Sequence, residues 1–305
     1  MGLVVAIGPS TFAEEDTAPL EMLQSAGITV KPNPVKRRLS EVEITYLLRE
    51  CDGLIAGLEP LNRNVMSTHA NKLRAIARVG IGVENVDFEA AAEFGIKVSS
   101  TPDGPINAVA EMCLAALLCI GRGLIPANEA LHNKEWKKSI GFSLRGTRVL
   151  MVGYGRIGRR TGELLRAFGA ELLVFDPQIA ADTLKNGERL VSLEEGLREA
   201  EVISLHASGD VCVLGREQFA MMRKGAVLLN SARGGLVAED ALVAALEQNV
   251  VRGAWFDAFW KEPYAGPLTR YPQVLLTPHT STYTVQCRRE MEVAAVENLL
   301  RDLGV

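Results

Sequence analysis

The 305-residue chain has little cysteine, little histidine and no excess of positive charge, and each shortage narrows what it can be. The five cysteines are Cys51, Cys113, Cys119, Cys212 and Cys287. Their number is odd and no two are spaced as CxxC. That pattern argues against structural zinc or any other bound metal, and for a reducing, cytoplasmic location. Cys113 and Cys119 fall in an apolar helical stretch and read as core residues. The net charge of -4 leaves no basic surplus for a polyanion, so no nucleic-acid partner is expected. No apolar run reaches membrane-spanning length, the longest being Met112 to Ile120, so no membrane partner is expected either. The N-terminal residues Met1 to Gly8 lack the basic start and cleavage site of a secretory leader. They read instead as a buried first strand.

What is present is ordinary globular material: 48% hydrophobic and 23% charged residues, enough chain for two domains. Apolar strands alternate with amphipathic helices. Strands are predicted at Leu3–Ile7, from Val30, and at Gly53–Ala56, Ala75–Val79 and Ile96–Ser99. Helices are predicted at Ala18–Ala26, Val42–Arg49 and Val86–Glu93. A long helix follows from Ala108 to about Gly121, then an irregular stretch through Trp136. The alternation restarts with strands Arg148–Val152, Glu171–Phe175, Val202–Leu205, Ala226–Asn230, Gly253–Phe256 and Val274–Leu276, and a helix Gly158–Phe168. One last helix covers Thr284–Leu303. Short strands joined by helices imply parallel sheets with right-handed crossovers. The expected fold is α/β: two doubly wound parallel-sheet domains. The boundary is predicted near Ser99–Thr101.

Gly153-Tyr154-Gly155-Arg156-Ile157-Gly158 directly follows a strand and opens a helix. The next strand ends in Asp176, an acid about 20 residues on. Gly153 permits the tight turn, Gly155 lets backbone amides approach a pyrophosphate, and Gly158 lets helix pack close to strand. The helix N-terminus offers free N–H groups and partial positive charge. Asp176 suits both adenosine ribose hydroxyls and would repel a 2′-phosphate. The cofactor is therefore read as NAD.

A nicotinamide exchanges hydride, and hydride addition to a carbonyl also needs a proton donor and a group that tunes it, with a cation wherever the substrate is an acid. Of the four histidines, His69 and His132 lie in polar surroundings and read as solvated helix residues. His206 and His279 each follow a strand, at the edge where open parallel sheets bind ligands. Arg233 lies in Asn230-Ser231-Ala232-Arg233-Gly234-Gly235, again after a strand, and suits bidentate carboxylate binding. Asp257 and Glu262 lie on the loop after the strand Gly253–Phe256, and a carboxylate touching a histidine raises its pKa.

Together, Gly153–Gly158, Asn230–Gly235, Asp257–Pro263, Thr277-Pro278-His279 and Arg78-Val79-Gly80-Ile81-Gly82-Val83-Glu84-Asn85-Val86-Asp87 resemble the D-isomer-specific 2-hydroxyacid dehydrogenase family, in its phosphoglycerate dehydrogenase-like branch. The resemblance covers essentially the whole chain. It implies a Rossmann coenzyme domain, residues 100–281, inserted into a smaller flavodoxin-like substrate domain, residues 1–99 and 282–305. It implies a homodimer, catalytic Arg233, Glu262 and His279, with His279 as the acid/base, and substrate contacts from Arg78, the Val79 and Gly80 amides, and Arg233. The coenzyme set is then Gly153, Gly155, Arg156, Ile157, Gly158, Asp176, His206, Ala232 and Asp257, with Asp257 on the nicotinamide carboxamide. Two local departures stand out. His206-Ala207-Ser208-Gly209-Asp210 lacks the proline and threonine common there, and Gly57-Leu58-Glu59 offers no cation for a phosphate. As given, the chain stops at Val305, so no C-terminal regulatory domain is expected.

The activity expected is hydride transfer between NAD(H) and C2 of a small D-2-hydroxy or 2-oxo acid. Oxidation of 3-phosphoglycerate and reduction of glyoxylate or hydroxypyruvate are alternatives within that chemistry. A reading from another class is an NAD-sensing co-repressor scaffold, which would bind NADH with little turnover.

Overall fold

The computed structural model describes residues 2–305. They form two compact units, one built from the chain up to Pro105 together with Tyr283–Val305, the other from Ile106–Thr282. The divisions read from the sequence lay at 99/100 and 281/282. Residues past Ser100 stay tied to the first unit. Thr101 N–H donates to Gly80 O at 3.0 Å, and a Cβ built at Gly104 would lie 2.7 Å from Met291 Cγ.

The first unit runs β1 (Val4–Ile7), α1 (Ala18–Ser25), β2 (Thr29–Lys31), α2 (Glu41–Leu47), β3 (Gly53–Ala56), α3 (Arg63–His69), β4 (Ala75–Arg78), α4 (Phe88–Glu93) and β5 (Lys97–Ser100). All pairings are parallel, in the order β2-β1-β3-β4-β5. Strands β3 and β4 are buried along their whole length, as expected when helices cover both faces of a parallel sheet. The helix starts are set locally. Ser40 and Glu43 form a capping box at α2, and Asn62 and Asp87 cap α3 and α4.

The second unit contains most of α5 (Pro105–Arg122), then α6 (Leu124–His132), β6 (Arg148–Val152), α7 (Arg156–Ala167), β7 (Glu171–Phe175), β8 (Arg189–Leu190), α8 (Leu193–Glu199), β9 (Val202–Leu205), α9 (Arg216–Met221), β10 (Ala226–Asn230), α10 (Glu239–Glu247), β11 (Val251–Phe256) and β12 (Val274–Leu276). Its seven strands lie in the order β12-β11-β10-β9-β6-β7-β8. Counted from β6 this is 3-2-1-4-5-6-7, the Rossmann order extended by one strand, with its switch point between β6 and β9. The closing helix α11 (Val285–Leu303) belongs to the first unit and packs on β3, β4 and β5.

Three expectations are corrected. The stretch after α5 is not irregular, because Leu124–His132 forms α6. Pro126 sits in its first turn, where its missing N–H is not needed, and none of its residues is buried, so no apolar period marked it. Helix α5 is longer than expected, and by length and composition it is apolar enough to span a bilayer. In this fold it sets Val109, Cys113, Ala116 and Leu117 into the core against β6, β7 and β9. His69 is not solvated: it is 7% exposed, with Nε2 2.8 Å from Thr45 O, and burial lowers its pKa. His132 is exposed.

Candidate active site

In a parallel sheet all carboxyl ends lie on one edge, so residues just past the strands gather there whatever their distance in sequence. In the second unit that edge carries residues following β6, β7, β9, β10, β11 and β12.

The loop after β6 meets the demands of a dinucleotide turn. Gly153 has φ +87°, a conformation side chains rarely adopt, and a Cβ there would meet Ala207 N at 2.6 Å. A Cβ at Gly158 would lie 2.4 Å from Gly153 O, so α7 can lie this close to the loop only with glycine. Gly155 has open space around it and no side chain caps α7, leaving the first amides of a 12-residue helix facing outward. Arg156 is exposed at the helix start, and Ile157 packs on the core. Asp176, just past β7, accepts from Tyr154 N–H at 2.7 Å and from Gln178 N–H at 2.9 Å. The acid thus holds the glycine-rich turn as well as standing at the ribose position. These residues fit a bound NAD.

His206 follows β9. Its Nε2 lies 2.8 Å from Ser204 Oγ, and burial drops its pKa to about 4. It is therefore neutral near pH 7. At the end of β10, Asn230 Oδ1 accepts from Ala232 N–H at 3.0 Å and its Nδ2 donates to Arg233 O at 2.9 Å. These two bonds shape the turn that carries Arg233. Arg233 as a whole is half-buried, and its Nη1 donates to Ala232 O at 2.8 Å.

Asp257, just past β11, is 1% exposed. Its Oδ1 accepts from Thr277 Oγ1 at 2.6 Å and Thr280 N–H at 2.9 Å, and Oδ2 from Ser281 N–H at 2.9 Å. Trp255 Nε1 completes the chain by donating to Thr277 Oγ1 at 2.9 Å. The loop Thr277–Ser281 is therefore tied to a buried carboxylate on both sides of His279, which sits at φ +55°. Its Nδ1 lies 3.0 Å from both Glu262 oxygens. Glu262 Oε1 also accepts from Phe259 N–H at 3.1 Å. The hydrogen bond to Glu262 raises the His279 pKa against the opposing effect of burial, and the Glu262 and Asp257 charges add to the rise. Burial works against a charged Glu262, but its bonds to His279 and Phe259 N–H prevail and lower its pKa. Both shifts favour the imidazolium–carboxylate form of the pair, with Nδ1 as the ring nitrogen that Glu262 engages.

In the first unit, Arg78 ends β4 and is buried. Gly80 has φ +128°, and a Cβ there would lie 2.9 Å from Arg78 Nη1. The two amides assigned to substrate already have partners: Val79 N–H donates to Ala56 O at 2.9 Å and Gly80 N–H to Thr101 Oγ1 at 2.7 Å.

The structure thus collects Arg233, Asp257, Glu262 and His279 past three neighbouring strands, with the glycine loop, Asp176 and His206 on the same sheet edge. Sequence reasoning assigned no role to Thr277 or Trp255. Thr277 stood inside a quoted motif, but nothing in a strand sequence says that an indole N–H points at the next strand's threonine. Among the described residues no three of His, Cys, Asp or Glu converge as a metal site.

Three comparisons bear on this geometry. The family model for "D-isomer specific 2-hydroxyacid dehydrogenase, NAD binding domain" matches residues 114–281. The chain is 34% identical to D-3-phosphoglycerate dehydrogenase of Methanocaldococcus jannaschii over 275 residues, covering 87% of this chain and 52% of that protein. It is 30% identical to glyoxylate reductase of Thermococcus litoralis over 267 residues, covering 83% and 81%. The chain spans about half the length of several curated relatives it matches. Among solved structures, the TT0316 protein from Thermus thermophilus superposes with a TM-score of 0.90 at 32% identity, covering 99% of this chain and 97% of that one.

Asp257→Asn should weaken folding by about 1–3 kcal/mol, because an amide NH2 would face the Ser281 N–H and leave it without an acceptor. Urea unfolding of the two proteins measures this. A variant as stable as wild type would show that the carboxylate does not hold the loop.

Proposed function

Because the chain belongs to the D-isomer specific 2-hydroxyacid dehydrogenase family, we propose that it transfers a hydride between NAD(H) and C2 of a small D-2-hydroxy acid or the matching 2-oxo acid. The observation that carries this reading is the Glu262–His279 pair, 3.0 Å apart on the same sheet edge as the glycine-rich loop. Gly153, Gly155, Arg156, Ile157 and Gly158 would hold the pyrophosphate, Asp176 the adenosine ribose, and His206 and Ala232 the nicotinamide side. Asp257 has used three of about four acceptor positions on its loop, which leaves one for a carboxamide N–H. The bound coenzyme supplies the hydride in reduction and takes it up in oxidation.

Arg233 would grip the substrate carboxylate with its guanidinium. His279 Nε2 donates a proton to the carbonyl oxygen as the alcohol forms, and takes it back in the reverse direction. Glu262 holds the ring by Nδ1 and favours its charged form, the state that carbonyl reduction needs. His206, neutral near pH 7, has no proton to spare there. The substrates named by the two relatives, 3-phosphoglycerate and glyoxylate, share the C1–C2 unit on which these groups act.

The test is a panel of 2-oxo acids with NADH, followed by nicotinamide absorbance and ranked by kcat/KM. At least one acid should turn over. His279→Ala should lower kcat by roughly 10²–10⁴ with NADH affinity within a few-fold, while His206→Ala acts on binding. An inactive His206→Ala beside a near-normal His279→Ala would overturn the assignment, and NADH binding without turnover of any acid would favour a sensor.

We also propose a cytoplasmic homodimer. The five unpaired cysteines support the reducing location. For the dimer, Leu124, Ile125, Leu131, Trp136 and Ile140 are all exposed within one short segment of the second unit, and such apolar surface is expected at an interface. Sedimentation equilibrium should give twice the chain mass, and Leu131→Asp with Trp136→Ser should give the monomer. A wild-type monomer at micromolar concentration would refute it.

A further inference from the structure

Lys261, Glu262 and Pro263 are all exposed, so burial alone does not fix the carboxylate beside His279. The fixed points lie on either side of it in sequence. Trp260 and Tyr264 are half-buried and pack on the core of the second unit. Trp260 stacks on Phe256 with ring centroids 5.5 Å apart, and Tyr264 stacks on Phe259 at 4.4 Å. The Trp260 and Tyr264 rings meet at 6.2 Å. Aromatic pairs at these separations carry orientational preference as well as buried area. The Phe259–Tyr264 stack closes the stretch between them into a turn, in which Phe259 N–H donates to Glu262 Oε1 at 3.1 Å.

The polar ends of both flanking rings reach the segment that follows Arg233. Trp260 Nε1 donates to Val237 O at 2.7 Å. Tyr264 Oη donates to Glu239 Oε1 at 2.5 Å and accepts from Leu268 N–H at 3.0 Å. Glu239 is the first residue of α10, where a helix favours negative charge. Burial and the bond to Glu239 raise the Tyr264 pKa, so the phenol keeps the proton it donates. Backbone contact completes the join. A Cβ at Gly234 would lie 2.3 Å from Phe259 C and Trp260 N, and one at Gly266 would lie 2.5 Å from the Tyr264 hydroxyl oxygen. The loops after β10 and β11 therefore touch at Gly234, Val237 and Glu239, and these contacts bracket Glu262.

We propose that Trp260 and Tyr264 are positioning residues that fasten Glu262 to the segment following Arg233, so that one clamp sets both the partner of His279 and the guanidinium loop. This rests on the reading of Glu262 and His279 as the acid/base pair of a 2-oxo acid reductase. Asp257 fixes the His279 side of that pair, and the two aromatic residues fix the Glu262 side. Both act through Glu262.

The test breaks one bond of the clamp from each end, in the full chain. Tyr264→Phe keeps the ring and removes the hydroxyl, whereas Glu239→Ala removes the acceptor and leaves Tyr264 whole. Histidine side-chain NMR follows the titration of His279, with His279→Ala identifying its signal. Glu262, Asp257 and Arg233 are the charged groups that act on that ring, and both variants leave them in place. A looser Glu262 favours the imidazolium less, so the His279 pKa should fall by about half a unit or more in each variant. The falling limb of the reduction profile should move to lower pH with it, while NADH affinity stays within about twofold. On a Glu262→Gln background, Tyr264→Phe should shift the titration no further, because the clamp acts through that carboxylate. A His279 pKa unchanged in both single variants overturns the proposal, and so does an equal further shift on the Glu262→Gln background. Trp260→Phe, which loses the indole N–H and keeps an apolar ring, should lower the His279 pKa in the same direction and keeps the test decisive if Tyr264→Phe does not fold. If wild type reduces no 2-oxo acid, the functional reading fails while the titration still decides whether the clamp holds Glu262.

Discussion

The buried carboxylate of Asp257 is the constraint on which the second unit's site depends. Its backbone N–H is bonded to Asn230 O on the neighbouring strand, and its side chain accepts three bonds from the loop after the next strand. The ends of β10, β11 and β12 are thereby tied into one piece. His279 adopts a left-handed backbone conformation that a non-glycine residue rarely takes. The bonds to Thr277, Thr280 and Ser281 on either side hold the backbone there, so the ring meets Glu262 without a search. A buried acid of this kind is tolerable because its acceptor positions are nearly all used.

The same physics governs both sheets with different outcomes. In the second unit the crevice at the β6/β9 switch point is bordered by glycines, and the acid at the end of β7 stands aside from it. In the first unit the crevice at the β1/β3 switch point is also bordered by glycines, Gly8 and Gly57, but the space they leave is taken by Glu59. Glycine is required in both places because something must come close to the backbone.

Much of this was legible from residue order. A strand, then Gly153 to Gly158, then a helix, then a strand ending in an acid can serve few purposes, and the parallel topology follows from strand and helix alternation. Arg233, Glu262 and His279 could be singled out because each follows an apolar run, and parallel sheets bring such positions to one edge. What was not legible depends on partners distant in sequence. His69 looked solvated because its chain neighbours are polar, while its actual neighbour, Thr45, is on another helix. Helix α6 has no buried face, so it left no periodic trace. Asp257 could be placed past a strand, but not seen to hold the loop carrying His279. Glu59 read only as an absence of positive charge, whereas the fold buries it against Gly8 and Gly57.

The central claim is that Glu262 holds His279 protonated for carbonyl reduction. The pH dependence of kcat/KM for reduction of the best 2-oxo acid, in wild type and Glu262→Gln, tests it most directly. His279 has a raised pKa, so reduction should stay fast up to that pKa and fall as pH rises through it. Without the carboxylate the imidazolium loses its partner, and the falling limb should move to lower pH by about one unit or more. A limb that stays where it is, or moves to higher pH, would contradict the account.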